Sequence, residues 1–406
     1  MSDFFQNGRI STLHNLGDRP LEDVEAELNE WRHKKPMCLV LPCLYSELQG
    51  PALENIIDEL CQVTYLDEII IGLDRATKEE FEHAKQFFSR LPQKHHILWN
   101  DGPRLKAIDK VLDEYGLAPK ELGKGRNVWY CLGFALASGR AKAVALHDCD
   151  ILTYKRDIVA KLFYPVVHPT FNYVFCKGFY YRAAGGKLNG RVSRLLVSPL
   201  VRALEKVFGK EDYLDFIDSF RYPLAGEFSM IVDVVSSIRI PSDWGLEIGV
   251  LSEVNRRYSD ERVCQVDIAD AYDHKHQDLS QENPEGGLSK MSTDISKSLF
   301  RKLAIKGQVF TPEVFRTIKA SYYRLALDLI DRYHNDAVIN GMTLDRNQEE
   351  NTVELFTKCI MRAGEQFLND PTERPFMANW SRVLSAVPDV YERLLDAVEQ
   401  DEKEAQ

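Results

Sequence analysis

The sequence predicts an α/β fold: a doubly wound, mainly parallel sheet followed by a helical C-terminal region. Three features point there. Short apolar runs that suit fully buried strands alternate with segments of helical period over residues 21–150. Polar residues gather just beyond those runs, at the carboxyl ends where open parallel sheets bind ligands. After residue 280 the strand patterns cease and long helical periods take over.

In chain order, residues 21–31 read as an acidic amphipathic helix. Residues 37–42 form a buried strand that ends at a proline. Residues 44–47 make a loop, and residues 51–63 have helical period. The unit then repeats, with a strand at 68–74, a helix at 78–91, a strand at 96–101 and a helix at 106–115. A glycine-bracketed loop at 122–127 precedes a helix of small and apolar residues at 128–138, which leads into the apolar run from Ala143 to Leu146. Beyond that run the pattern changes. Residues 171–182 are a long aromatic strand, 185–193 a glycine-rich loop and 195–207 a helix. Residues 222–227 are a turn into a helix bearing Met230, Val232 and Val235. Residues 243–251 enter another helix, and 263–268 form a last strand. Helices are expected near 291–305, 312–333, 351–367 and 380–399, with a frayed acidic tail at 399–406.

Bulk composition narrows the function. At 406 residues the chain can bury a large core, and 44% hydrophobic with 28% charged residues is the balance of a soluble globular protein. A formal net charge of −11, from 51 basic and 62 acidic residues, argues against nucleic acid or an anionic membrane as partner. The eight cysteines include no Cys-x-x-Cys pair and sit mostly in apolar runs, so they read as reduced structural thiols. The N-terminus lacks the pattern of a secretory signal, and no apolar stretch approaches the roughly 20 residues of a membrane span. A cytoplasmic protein is the expectation.

The stretch carrying most chemistry is His147-Asp148-Cys149-Asp150, two carboxylates one residue apart at the end of a buried strand. Hard oxygen ligands placed there suit Mg²⁺ or Mn²⁺ holding a substrate's phosphates. His274 and His276 follow the last strand, where one imidazole could complete a mixed oxygen and nitrogen site. Gly123-Lys124-Gly125 lacks the Walker spacing, and no Gly-x-Gly-x-x-Gly follows the first strand, which removes the dehydrogenase reading. Lys124 either meets a phosphate at a helix start or belongs to an ordinary loop. Gly190-Arg191-Val192-Ser193 offers a guanidinium fork, a hydroxyl and free amides, an arrangement suited to an anion. Glu227 and Glu247 each place a carboxylate in an apolar segment, and local sequence does not rank them.

Taken together, residues 40–279 resemble the glucosyl-3-phosphoglycerate synthases, retaining sugar-nucleotide glycosyltransferases with the Rossmann-like GT-A fold. The matching pieces are Leu41-Pro42-Cys43-Leu44 with Glu47, Gly123-Lys124-Gly125, Asp148-Cys149-Asp150, Gly190-Arg191-Val192-Ser193, Pro223-Leu224-Ala225-Gly226-Glu227, Gly245-Leu246-Glu247-Ile248-Gly249, and His274. The resemblance implies that Asp150 and His274 coordinate Mg²⁺ or Mn²⁺ on the donor diphosphate. It implies that Pro42, Leu44, Glu47, Gly72 and Asp74 hold the nucleobase and ribose, that Asp148 contacts the ribose or the metal's water shell, and that Lys124 faces the diphosphate or donor sugar. Gly190, Arg191 and Ser193 would bind the phosphate of 3-phosphoglycerate, with His276 nearby, and Glu247 would orient the donor sugar or acceptor hydroxyl. Residues 1–35 then form a helical extension, 36–280 the transferase domain, split at 150 into a nucleotide-sugar half and an acceptor half, and 281–406 a helical region that packs on the domain or makes a homodimer. UDP or GDP as donor nucleotide, glucose or mannose as the sugar, and phosphorylated or free glycerate as the acceptor all stay open. A sugar nucleotidyltransferase would carry a basic, glycine-rich signature after the first strand, and residues 43–50 contain no basic residue. A non-catalytic sugar-nucleotide sensor would have no need of Asp150, His274 and Glu247 together.

Overall fold

A computed structural model describes residues 6, 8–17, 19–274, 287–372 and 376–404. Its strands are β1 (Ser11–Leu13), β2 (Met37–Leu44), β3 (Glu68–Asp74), β4 (His95–Trp99), β5 (Ala143–Leu146), β6 (Phe175–Tyr180), β7 (Ala183–Ala184), β8 (Lys187–Leu188), β9 (Phe228–Ile231) and β10 (Val263–Ala269). β7 and β8 make a small ribbon of their own, while the other eight form one sheet in the order β1-β10-β6-β9-β5-β2-β3-β4. All its pairings are parallel except the two made by β9. From β2 the chain winds outward through β3 and β4, then returns to the other flank of β2 as β5. The switch point lies between β2 and β5, above which a ligand crevice is expected.

The unbroken apolar runs of β2, β3 and β5 follow from burial on both faces. Met37, Leu39 and Leu41 face a core shared with Leu28, Ile56, Phe81 and Phe163. Cys38 and Val40 face a second core that continues through Leu105 and Val128 to Leu299, Ile318, Phe356 and Trp380. The helical C-terminal region thus shares one apolar interior with the sheet. Trp380 stacks on Trp129 at 4.2 Å and donates its indole N–H to the Trp129 carbonyl at 2.9 Å. A methyl group at Gly133 would lie 2.0 Å from the Trp380 ring, so only glycine lets the two approach so closely.

Several elements differ from the sequence reading. β2 runs past Pro42 to Leu44. β5 pairs with β2 only as far as Val40, so the proline sits where one strand neighbour has already ended. The segment read as a turn into a helix at residues 222–235 supplies β9, wedged antiparallel between β5 and β6, before the short helix Val232–Ser237. Residues 11–13 add β1 to the sheet edge beside β10. The last predicted helix is two, Trp380–Ala386 and Val390–Lys403, separated around Pro388. The acidic tail is helical through Lys403 and docked: Arg104 pairs with Asp401 and Glu404, and Glu402 meets His96 at 3.1 Å.

Candidate active site

β5 stops at Leu146, and the chain leaves the sheet through the two aspartates. Cys149 turns into the core, as alternation requires, while Asp148 and Asp150 stay half-buried. The aspartate loop is held from the far side of the sheet. Ile151 bridges His274, and the Leu152 amide donates to the Asp273 carbonyl at 2.8 Å. That pairing brings His274 Nδ1 to 3.6 Å from Asp150 Oδ2.

Lys124 occupies the centre of the cleft. It begins the helix Lys124–Ser138 after Gly123, whose φ of 155° favours glycine. At Gly125 a methyl group would fall 2.1 Å from the Pro241 carbonyl oxygen, so the bare backbone lets the helix start press on that loop. From there Lys124 Nζ reaches Asp148 Oδ1 at 2.6 Å and Glu247 Oε1 at 3.2 Å. Glu247 lies in the first turn of the helix Leu246–Arg257, where acidic side chains favour the helix dipole. The turn before it is braced by Asp243, which accepts the Gly245 amide at 2.9 Å.

The charge pattern divides the two aspartates. Burial alone would raise the Asp148 carboxyl, but the Lys124 ammonium offsets this and holds it below the usual range. Burial, with Asp148 as an added negative neighbour, pushes Asp150 up to about 7. Burial opposes charge on Lys124, yet Asp148 and then Glu247 keep its ammonium above the ordinary lysine range. Behind them lies Glu227, fully buried, accepting hydroxyl bonds from Tyr180 at 2.7 Å and Tyr272 at 2.6 Å. The two rings stack at 3.6 Å, which ties β6 to the segment carrying His274. Burial raises the Glu227 carboxyl, with Asp148 adding to the effect. Lys177, buried in β6, donates to the Ala225 carbonyl at 2.5 Å, and burial lowers its ammonium to about 8. It fixes the loop whose next residue, Gly226, sits against the Asp148 carboxylate.

At the outer strand ends Pro42 pairs with Gly72, and Leu44 with Asp74. Gly72 has no room for a side chain, since a methyl there would lie 1.8 Å from Asn127 Oδ1. The Asn127 amide donates to the Gly72 carbonyl at 2.8 Å, and Asn100 donates to Asp74 Oδ1 at 2.8 Å. Burial raises Asp74 to about 6. Glu47 lies in the turn Tyr45–Gln49 after β2 and adds its negative charge to the surroundings of Asp150.

On the other side, β7 and β8 lead to Gly190, whose φ is 74° and where a methyl group would lie 3.3 Å from the Arg182 side chain and 3.6 Å from the Tyr222 ring. Arg182 lies over the Tyr272 ring at 5.9 Å, so this loop adjoins the His274 segment. Ser193 is buried within the π-helical turn Val192–Val197, a form that concentrates at functional sites. Arg191 donates through Nε to Glu349 Oε1 and through Nη2 to Gln348 Oε1, both at 2.8 Å. Those partners belong to the C-terminal helix Arg346–Asn369, in a region from which the sequence yielded no site residues. His276 lies outside the described residues.

The structure therefore brings Lys124, Asp148, Asp150, Glu247 and His274 into one cleft, with Glu47 on one side and the Gly190–Ser193 loop on the other. Lys177 was not singled out in the sequence, although a cation inside an aromatic strand was a signal that could have found it. Glu349 carries no local signal, being one acid among many on a polar helix.

No family model matches the chain. The glucosyl-3-phosphoglycerate synthase of Persephonella marina is 45% identical over 401 residues, covering 99% of both chains. The chain belongs to the glucosyl-3-phosphoglycerate synthase family. The Methanococcoides burtonii member of that family is 39% identical over 407 residues, covering 99% of this chain and 98% of its own. Among solved structures, the Mycobacterium tuberculosis family member in complex with Mn²⁺, UDP-glucose and phosphoglyceric acid superposes with a TM-score of 0.53 at 22% identity. It covers 73% of this chain and 88% of that one. Its complex with Mn²⁺, UDP and glucosyl-3-phosphoglycerate superposes equally well, with a TM-score of 0.53 at 21% identity. These likenesses carry the fold, the Rossmann-like GT-A sheet. No helix among the described residues is long and apolar enough to cross a membrane.

Proposed function

We propose that the chain transfers glucose, with retention at the anomeric carbon, from UDP-glucose to 3-phosphoglycerate, giving glucosyl-3-phosphoglycerate. The observation that carries this reading is the arrangement around Lys124. One ammonium spans Asp148 and Glu247 while Asp150 faces His274 in the same cleft. The family names of the full-length relatives supply acceptor and sugar, and the Mycobacterium tuberculosis complexes supply the uridine donor. GDP-glucose, a mannosyl donor or free glycerate are the neighbouring choices within the same fold.

Asp150 and His274 would hold Mg²⁺ or Mn²⁺. Two ligands on one such ion stand about 3 Å apart, and 3.6 Å is close to that separation. Among the described residues no group of three ligating side chains occurs, so the remaining positions fall to the donor diphosphate and water, the usual habit of Mg²⁺. When bound, the ion stabilises charge developing on the leaving diphosphate.

The chain's own groups do the rest. Lys124 places a fixed positive charge beside the diphosphate, preorganised by its two carboxylate partners. Asp148 accepts from the ribose, and Pro42, Leu44, Glu47, Gly72 and Asp74 frame the nucleoside at the ends of β2 and β3. Gly190, Arg191 and Ser193 take the acceptor phosphate, with His276 as a further contact. Glu247, with one oxygen engaged by Lys124, orients a sugar or acceptor hydroxyl and is poorly placed as a nucleophile. The acceptor hydroxyl attacks from the leaving-group side, and a diphosphate oxygen takes its proton. A trapped glycosyl adduct on Glu247 would overturn this step. Residues 36–150 then serve the donor and 151–280 mainly the acceptor, with His274 reaching back to the ion on the donor side. Eight free cysteines suit a reducing cytoplasm.

The test offers UDP- and GDP-linked glucose and mannose with 3-phosphoglycerate or glycerate, with Mg²⁺, Mn²⁺ or chelator, and measures nucleoside diphosphate release. Turnover is expected with UDP-glucose, 3-phosphoglycerate and metal. Asp150→Ala should abolish it while leaving the circular dichroism spectrum unchanged. Full activity in that variant, or in excess chelator, refutes the assignment.

A further inference from the structure

The buried carboxylate of Glu349 is 2% exposed and divides its two oxygens between two arginines of the acceptor loop. Oε1 accepts from Arg191 Nε and Oε2 from Arg194 Nη1, each at 2.8 Å. Gln348, one residue earlier, accepts from Arg191 Nη2 at 2.8 Å. The Nε–Nη2 edge of Arg191, one of the two edges that grip an anion in bidentate fashion, is therefore committed to the C-terminal helix. Only the Nη1–Nη2 side is left to face a ligand.

The helix is itself anchored for this task. Asp345 caps it by accepting the Gln348 amide at 3.1 Å, and the Glu349 amide donates to the Asp345 carbonyl at 3.0 Å. Just upstream, the Thr343 amide donates to the Gly186 carbonyl at 2.8 Å, so residues 343–349 grip the loop at both ends. Arg194 is nearly buried, donates through Nε to the Asn189 carbonyl at 2.8 Å and lies over the Tyr333 ring at 4.8 Å. It fixes the backbone just before Gly190, while Glu349 fixes the guanidinium just after.

We propose that Glu349 is a positioning residue for acceptor recognition: through Arg191 it sets the plane and free edge of the guanidinium that meets the acceptor's phosphate. The C-terminal helix is then part of the acceptor site. This rests on Arg191 being the phosphate ligand. A flexible arginine must be ordered when it binds, and one held by two partners has already lost that freedom. Removing the brace should weaken acceptor binding and leave the donor side untouched.

The experiment uses the full-length enzyme and steady-state kinetics in both substrates. Glu349→Gln should raise KM for 3-phosphoglycerate by about tenfold, with kcat and KM for the nucleotide sugar changed less than about twofold. Gln348 is exposed, so Gln348→Ala keeps the fold and should raise the same KM by about threefold. In an Arg191→Ala background, adding Glu349→Gln should raise acceptor KM by less than about twofold more, since the brace then holds only Arg194. An unchanged acceptor KM in both single variants overturns the proposal. So does a lowered one, which would show the carboxylate competing with the phosphate, and so does a full additive loss in the double variant. If Arg191→Ala alone leaves the acceptor KM unaltered, the phosphate assignment fails instead.

Discussion

Gly226→Ala adds one methyl group and no charge, yet it strikes the centre of the proposed donor site. The new carbon would lie 2.5 Å from Asp148 Oδ2, 2.9 Å from its Cγ and 3.0 Å from its Oδ1. Ordinary contact begins near 3.4 Å, so the carboxylate must retreat by about 0.9 Å. Retreat is resisted, because Lys124 holds that carboxylate at 2.6 Å and the Gly226 loop is pinned through Ala225 by Lys177. A displacement near 1 Å of a positioning group costs about 10²-fold in rate. That equals about 2.7 kcal/mol of transition-state stabilisation. We therefore expect kcat/KM for the nucleotide sugar to fall about a hundredfold, with a change in Tm of no more than a few degrees. Nucleoside diphosphate release at saturating 3-phosphoglycerate measures the first, and thermal unfolding the second. A variant within twofold of the parent in kcat/KM would show that Asp148 is not placed by this contact, and the donor-site argument would fall with it.

Two further outcomes follow from the same geometry. The folded protein holds Asp74 at about 6 rather than the ordinary 3.8, so between those values it binds more protons than the unfolded chain, and stability falls as pH rises through that window. The charged carboxylate then costs about 3 kcal/mol above pH 6, and Asp74→Asn should be the more stable form at pH 8 but not near pH 4 by urea unfolding. Equal differences at both pH values would refute the linkage. Trp380→Ala should lose about 3–5 kcal/mol by vacating the space against Trp129 and Gly133; a loss under about 1 kcal/mol would show that the C-terminal helices pack independently of the sheet.

Much of the fold could be read from residue patterns because the central strands are apolar throughout. β3, Glu68–Asp74, and the helix Leu21–Trp31 lie where periodicity puts them. The polar ends of β2, β3 and β5 announced the crevice before any pairing was known. β9 was illegible for a physical reason. Phe228–Ile231 is four residues long and runs directly into Val232–Ser237, so only its neighbours β5 and β6 make it a strand. β1 is three residues of unremarkable composition, stabilised by pairing with residues more than two hundred positions away. The site divides similarly. Asp148, Asp150 and Lys124 sit in local patterns, whereas the bridging of Asp148 to Glu247 by Lys124, and of Arg191 to Arg194 by Glu349, joins distant segments. The acidic tail misled because charge density reads as solvent exposure until Arg104 and His96 are seen beneath it.

The docking of Val390–Lys403 beside β4 and Arg104 also imposes an order on biosynthesis. All four strands of the β5-to-β4 half have been translated once residue 146 is made, but the outermost cover on their far face is translated some 250 residues later. Through that interval Trp129 lacks its stacking partner Trp380. Substitutions that slow translation or recruit chaperones late in the message would therefore alter yield through the first-made strands rather than the last-made helix.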